Sequence, residues 1–222
     1  MLRKILITDL SLKIRMIKMY DYVKEYNNIL VIGAGGRNDW KYFEDNGLNV
    51  TVLDIRKVDG PKRFIQQSIT DRTPFDNEEF DCIVLSTVLE YAIDDIKALH
   101  EVSRILKKDG LLLSDVTYVK DKTNHPVRIY SRKTLSDILK YSGFDVYYTE
   151  KQGFFAALND KYPFRLLILL ITLFIRDYSI WIKIDIYLSN KFTFFDRCFG
   201  YGEGDILKCK KSLNNNFEFY KS

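Results

Sequence analysis

The apolar residues of this chain fall into short continuous runs, separated by polar segments in which they recur every third or fourth position. Ile29-Leu30-Val31-Ile32 is one such run, and Val50-Thr51-Val52-Leu53 is a second. Runs this short, without strict alternation, read as strands buried on both faces. Cys82 to Leu85, bounded by Asp81 and Ser86, is a third, Leu111 to Asp115 a fourth and Phe144 to Thr149 a fifth, and Phe64-Ile65 to Ile69 reads as a further strand. Asp94 to Leu106 has the spacing of an amphipathic helix, with Gly110 as its expected stop, and a second helix from Ser131 or Lys133 to Tyr141 is ended by Ser142-Gly143. Thr8 or Asp9 caps a helix reaching about Asn27, with Leu10, Ile14, Ile17 and Tyr20 or Met16 on one face. Asp76-Asn77-Glu78-Glu79 is a turn. Strand and helix alternate, which predicts an α/β fold with a mostly parallel sheet and helices on both faces.

The connection after the first run carries the first candidate chemistry. Gly33-Ala34-Gly35-Gly36 follows Ile32 directly, and the second run stops at Asp54. Glycines remove Cβ atoms where the chain turns sharply and where a ligand must approach the backbone. The helix that follows offers N–H groups to an anionic group. A carboxylate at the end of the second strand can accept both hydrogen bonds of a ribose diol. Strand, Gly-rich turn, helix, strand and acid together point to an adenosine-containing cofactor.

At 222 residues the chain is long enough for one sizeable core, and 46% apolar against 29% charged residues is the composition of a folding chain. Cys82, Cys198 and Cys209 are widely spaced and form no Cys-x-x-Cys, so neither a zinc site nor a disulfide framework is expected, and a reducing cytoplasm fits. No signal peptide is visible, because Lys4, Asp9, Lys13 and Arg15 interrupt the first apolar residues. Residues 1–26 hold six Lys/Arg against three Asp/Glu, and residues 151–222 hold eleven against seven. The basic excess therefore sits at the two ends and not on the cofactor-binding segment.

The stretch from Phe80 to Asp115 makes the cofactor specific. Its elements are Phe80-Asp81 before an apolar strand, Val88-Leu89-Glu90-Tyr91 after it, a helix, and Leu106-Lys107-Lys108-Asp109-Gly110 before the next strand. Arg128-Ile129-Tyr130-Ser131 then leads to Gly143-Phe144. In this order they resemble the class I S-adenosylmethionine-dependent methyltransferases, especially the ubiquinone/menaquinone-biosynthesis branch. The resemblance covers about residues 27–150, and Asp205 to Lys211 is similar to the family's last strand. It implies a Rossmann-like, seven-stranded, mostly parallel sheet with helices on both faces and an antiparallel last strand. The implied organisation is an N-terminal helical extension (1–26), the S-adenosylmethionine-binding core (27–150), an apolar helical insertion (151–204), and the last strand with a tail (205–222). Gly33, Ala34 and Gly35 would pass under the methionine portion, Asp54 would hold the ribose hydroxyls and Ile55 would flank the adenine. Ser68 and Ile69 would lie by the adenine edge, and Ser86 and Thr87 near the sulfonium and amino group. Three positions depart from the pattern. Val31 stands where the family has an acid for the cofactor's amino group, Arg37 replaces the third glycine, and Tyr91 replaces a histidine. Asp39 or backbone carbonyls would then take over the lost contact. The alternative is a non-catalytic methyltransferase-fold protein that binds or regulates with a weakened cofactor site. A nicotinamide-dinucleotide turn is the nearest rival, but it requires a second βαβ half where this chain has Phe144–Thr149 and Asp205–Lys211.

S-adenosylmethionine supplies an activated methyl group, so the protein's task is to place an acceptor in line and exclude water. An oxygen acceptor gains from a base. The resemblance puts His125, in the Asp121–Pro126 loop after the Leu111–Asp115 strand, beside the acceptor, with Tyr91, Asp115 and Tyr118 at the pocket edge. His100 reads as a helix-surface residue and Cys82 as an inert strand residue. No metal is expected. The acceptor is a small molecule, a sugar or a lipid-linked compound. No Asn/Asp-Pro-Pro-Tyr motif and no basic stripe on the core argue for nucleic acid. Within the insertion, Leu166 to Ile175 is an uncharged run of ten residues, about half of the roughly twenty that a membrane-crossing helix requires. Three readings stay open for it: a lid, a homodimer face, or a membrane-surface contact through 163–183 anchored by Arg165, Tyr178, Trp181 and Lys183. Similar apolar inserts occur in bacterial methyltransferases of surface-glycan assembly. The location expected is cytoplasmic, with the inner membrane face included under the last reading.

Overall fold

The structure is a computed structural model and describes residues 15–34, 39–117, 127–151, 178–191 and 204–212. Seven strands form one sheet: β1 (Ile29–Ile32), β2 (Val50–Asp54), β3 (Phe64–Gln66), β4 (Phe80–Ser86), β5 (Leu106–Thr117), β6 (Phe144–Lys151) and β7 (Gly204–Lys211). Their order is β3-β2-β1-β4-β5-β7-β6, with β5, β7 and β6 antiparallel. Among the described residues the helices are α1 (15–23), α2 (Asp39–Asp45), α3 (Asp95–Ile105), α4 (Arg132–Tyr141) and α5 (Tyr178–Lys191). The resemblance implied this sheet. A dinucleotide-binding sheet would instead continue 3-2-1-4-5-6 in parallel, and here the last strand enters between the fifth and sixth.

The chain divides into two compact units. One comprises Tyr22–Val116, Asp121–Glu150 and Asp205–Ser222 and carries the sheet. The other comprises Met1–Asp21, Thr117–Lys120 and Lys151–Gly204; α5 lies in it.

The apolar runs form the centre of the sheet. All residues of β1 and β2 are buried, and Val31 is enclosed between Val52 of β2 and Val84 of β4. Phe43 of α2, Leu99, Val102 and Ile105 of α3, and Leu135 and Leu139 of α4 are fully buried. Each such side chain contributes about 1.5–3 kcal/mol of transfer free energy. The Phe80-Asp81 pair has separate tasks. Phe80 is buried edge-on against Phe75, with ring centroids 4.9 Å apart. Asp81 accepts the Asn28 N–H at 2.9 Å and pairs with Lys107 at 2.5 Å, which fixes the entry of β1 beside β4. Asp94 and Ser131 cap α3 and α4 by accepting the N–H groups of Lys97 and Thr134. The 70–79 segment is tied to α3 by Glu101, which accepts from Thr73 N and Oγ1 at 2.7 and 2.6 Å and from Arg104 at 2.6 Å. Burial opposes ionisation of Glu101, but these donors together hold its carboxyl below the ordinary range.

Several sequence expectations are corrected. Gly110 is not a helix stop. α3 ends at Ile105, and β5 begins at Leu106 and runs through Gly110, with an irregularity between the Phe80–Leu106 and Cys82–Leu111 pairs. Gly110 is required by space: a Cβ there would lie 2.6 Å from Leu106 Cδ1 and 3.0 Å from Asp81 O. Gly110→Ala is therefore expected to cost about 1–2 kcal/mol by overpacking, read as a lower urea midpoint with an unchanged slope. In α1 the buried positions are Arg15, Lys18, Met19 and Val23, whereas Met16, Ile17 and Tyr20 are half-buried. The stripe lies one position away from the apolar face expected, because the stems of Arg15 and Lys18 are covered. Trp181 of α5, expected as one anchor of a membrane-surface contact, is 3% exposed. Leu10, Ile14, Arg165 and the Leu166–Ile175 run lie outside the described residues, and no helix among the described residues is long and apolar enough to cross a membrane.

Candidate active site

The strand register assembles the candidate residues. Ile32 pairs with Leu53 on one side and Leu85 on the other, and Ser86 pairs with Asp115. Gly33, Asp54, Ser86 and Asp115 therefore form a row toward the carboxyl ends of β1, β2, β4 and β5. The strand order reverses direction between β1 and β4, and ligands of open α/β sheets bind beside such a switch point.

Gly33 sits at φ +84°, a conformation glycine adopts freely, and donates its N–H to Leu53 O at 3.0 Å. A Cβ on Gly33 would lie 2.2 Å from Val88 Cγ2 and 3.1 Å from Ser86 O. The missing side chain thus lets the segment after β4 close over the turn. Ala34 is buried, and Gly35, Gly36 and Arg37 lie outside the described residues. Asp39 opens α2 with a fully buried carboxylate that accepts the Ser86 hydroxyl at 2.9 Å. A buried acid eight residues after Val31 is therefore joined to the end of β4.

Asp54 is 5% exposed and accepts the Arg56 N–H at 2.8 Å through Oδ1, so its carboxylate is held at the edge of the row. Ile55 is 66% exposed, an apolar surface directly after it. Beyond β3, Ser68 bonds Thr70 through its hydroxyl at 2.7 Å, and Ile69 is buried. Thr87 takes a left-handed backbone, φ +54°, and donates its N–H to Asp115 Oδ1 at 2.8 Å.

Tyr91 is 45% exposed, at the end of a turn closed by its N–H on Val88 O. The neighbouring anchor is Tyr130, which donates to buried Asp95 at 2.6 Å, with Arg128 3.4 Å from the same carboxylate. Burial, then the Asp95 carboxylate, push the Tyr130 hydroxyl up, so it serves as a donor and not as a base. Arg128 also donates to Ala92 O and Ile93 O at 3.1 Å, which fastens the 127–130 segment to the one after β4. Burial likewise raises the thiols of Cys82 and Cys209, in keeping with inert core residues. His125 and Tyr118 lie outside the described residues, and His100 is half-buried on α3. Arg128 and Tyr130 stood in the sequence as part of the resemblance, but their shared partner Asp95 and the Asp115–Thr87 bond required the fold, because each joins residues far apart in the chain.

Residues 30–114 match a family model described as a methyltransferase domain. A comparison with curated proteins finds no match. Among solved structures, the chain is similar to 1,6-didemethyltoxoflavin-N1-methyltransferase of Burkholderia thailandensis, solved with S-adenosylhomocysteine (TM-score 0.58, 13% identity, 91% of this chain and 78% of that one). It is also similar to the O-MT segment of StiE (TM-score 0.58, 14% identity, 91% and 74%) and to the [4+2]-cyclase SpnF (TM-score 0.56, 17% identity, 89% and 81%). At these identities the likeness is one of fold, and one fold hosts several chemistries. The match over residues 30–114, the strand order and the glycine turn agree on the fold of the class I S-adenosylmethionine-dependent methyltransferases.

Proposed function

We propose that the chain is an active S-adenosylmethionine-dependent methyltransferase whose acceptor is a small molecule with an apolar body, methylated at oxygen. The observation that carries the cofactor reading is the row at the carboxyl edge. It combines a turn at Gly33 that a Cβ would fill, a buried carboxylate at Asp54 and the polar pair Ser86–Thr87. These residues fit the cofactor. Asp54 would hold the ribose hydroxyls, Ile55 the adenine face, Ser68–Ile69 its edge, and Gly33–Gly35 with Ser86–Thr87 the methionine portion. Asp39, through Ser86, is the acid nearest in role to the one missing at Val31. The cofactor supplies an electrophilic methyl group; the chain's own groups bind, orient and keep water away.

The acceptor reading rests on the segments after β4 and β5. Tyr91 (45%), Ile93 (82%), Val127 (57%) and Ile129 (67%) are exposed there and are held near one another by Arg128. Large exposed apolar side chains beside a site favour a ligand with an apolar part, which suits a lipid-linked sugar as well as an aromatic compound. His125 would take the acceptor's proton, with Tyr91 at the acceptor's edge. The alternative is a fold kept for binding or regulation, which would give no turnover.

The test is to incubate the protein with methyl-tritiated S-adenosylmethionine and an extract of its source cells, then separate organic-soluble small molecules from protein and nucleic acid. Label is expected in the organic-soluble fraction, and Asp54→Ala should abolish it. Label only in protein or nucleic acid overturns the acceptor reading, and no transferred label supports the non-catalytic alternative.

A further inference from the structure

We infer that Asp115 is a positioning residue that shapes the cofactor side of this site through the backbone of Thr87; this rests on the methyltransferase reading above. Thr87 is β-branched and comes directly after β4, yet it holds φ +54°. A β-branched residue in the left-handed region is a backbone outlier, and such outliers persist only where neighbouring groups over-determine them. The determinant here is Asp115, the last residue of β5 to pair with β4. Its carboxylate accepts the Thr87 N–H at 2.8 Å, and its carbonyl oxygen approaches the same N–H at 3.3 Å. Asp115 is 1% exposed, so its charge acts at short range on that N–H and not through solvent.

The residues on either side of Thr87 give the bond its consequence. The left-handed turn redirects the chain so that Val88 lies against Gly33, where its Cγ2 would be 2.2 Å from a Cβ. Ser86, on the other side of Thr87, bonds Asp39 at the start of α2. Asp115 thereby connects β5 to the lid of the glycine turn and to both residues that border it. The Thr87 hydroxyl is shielded and has no hydrogen-bond partner among the described residues, so the geometry is not set by its side chain.

The test measures S-adenosylmethionine affinity by calorimetry for wild type, Asp115→Asn, Asp115→Ala and Asp115→Ala combined with Thr87→Gly, each checked for folding by circular dichroism. Asp115→Ala should weaken binding about tenfold or more, the scale of one charge-assisted hydrogen bond. Asp115→Asn keeps an acceptor oxygen and should bind more tightly than Asp115→Ala. Glycine at 87 needs no partner to hold a positive φ, so the double variant should bind more tightly than Asp115→Ala alone. Wild-type affinity in folded Asp115→Ala, or a double variant no tighter than the single one, overturns the inference while leaving the methyltransferase reading in place. A folded wild type that binds no cofactor overturns both.

Discussion

Replacing Gly33 with alanine is expected to abolish cofactor binding and to destabilise the fold by about 3 kcal/mol. Two independent costs meet at this residue. The backbone at φ +84° is unfavourable for any L side chain by about 1–2 kcal/mol. The new Cβ would lie 2.2 Å from Val88 Cγ2, which forces the segment after β4 away from the turn at a further cost of about 1–3 kcal/mol. Urea unfolding reads the sum. Adding Val88→Ala should recover the steric part and leave the backbone part, so Gly33→Ala with Val88→Ala should fall between wild type and Gly33→Ala. If Gly33→Ala alone is as stable as wild type and still binds cofactor, the turn is not built as described.

Asp54→Ala is expected to weaken S-adenosylmethionine binding about hundredfold while leaving a folded protein. A buried carboxylate facing a diol makes charge-assisted hydrogen bonds, and losing two of them has this scale. The structural cost is smaller, about 1 kcal/mol, for the bond from Arg56 N–H that Asp54 Oδ1 accepts. The diol belongs to the nucleoside, so adenosine should lose affinity by a similar factor in the same titration. Asp54→Asn keeps one acceptor oxygen and should fall between. An unchanged affinity in a folded Asp54→Ala variant would remove Asp54 from the site.

The sheet was legible because its strands carry one kind of information. Ile29–Ile32, Val50–Leu53 and Cys82–Leu85 are short, largely apolar runs buried on both faces, and such runs have few other ways to be buried. α3 and α4 were legible within a residue because Asp94 and Ser131 cap them. Gly110 misled because a glycine after a helical stretch ordinarily signals a stop, whereas here it gives room for Leu106 and the Asp81 carbonyl. The face of α1 misled because buried stems of Arg15 and Lys18 do not register as apolar. At the proposed site, Gly33 and Asp54 were singled out by residue type. Thr87 was placed beside the cofactor only by the resemblance, and its left-handed turn was not legible, since such a turn is normally marked by glycine or asparagine and here depends on an acid 28 residues away. Asp39 entered the sequence reading only as a replacement for the acid missing at Val31; its bond to Ser86 required the fold.

The central claim is that the Gly33–Asp54–Ser86 row holds S-adenosylmethionine despite Val31. Calorimetric titration of S-adenosylmethionine and S-adenosylhomocysteine into the wild-type protein tests it most directly. The account predicts one site per chain for both ligands, with adenosine as a weaker competitor. A protein that is folded by circular dichroism yet gives no binding at millimolar cofactor would contradict it.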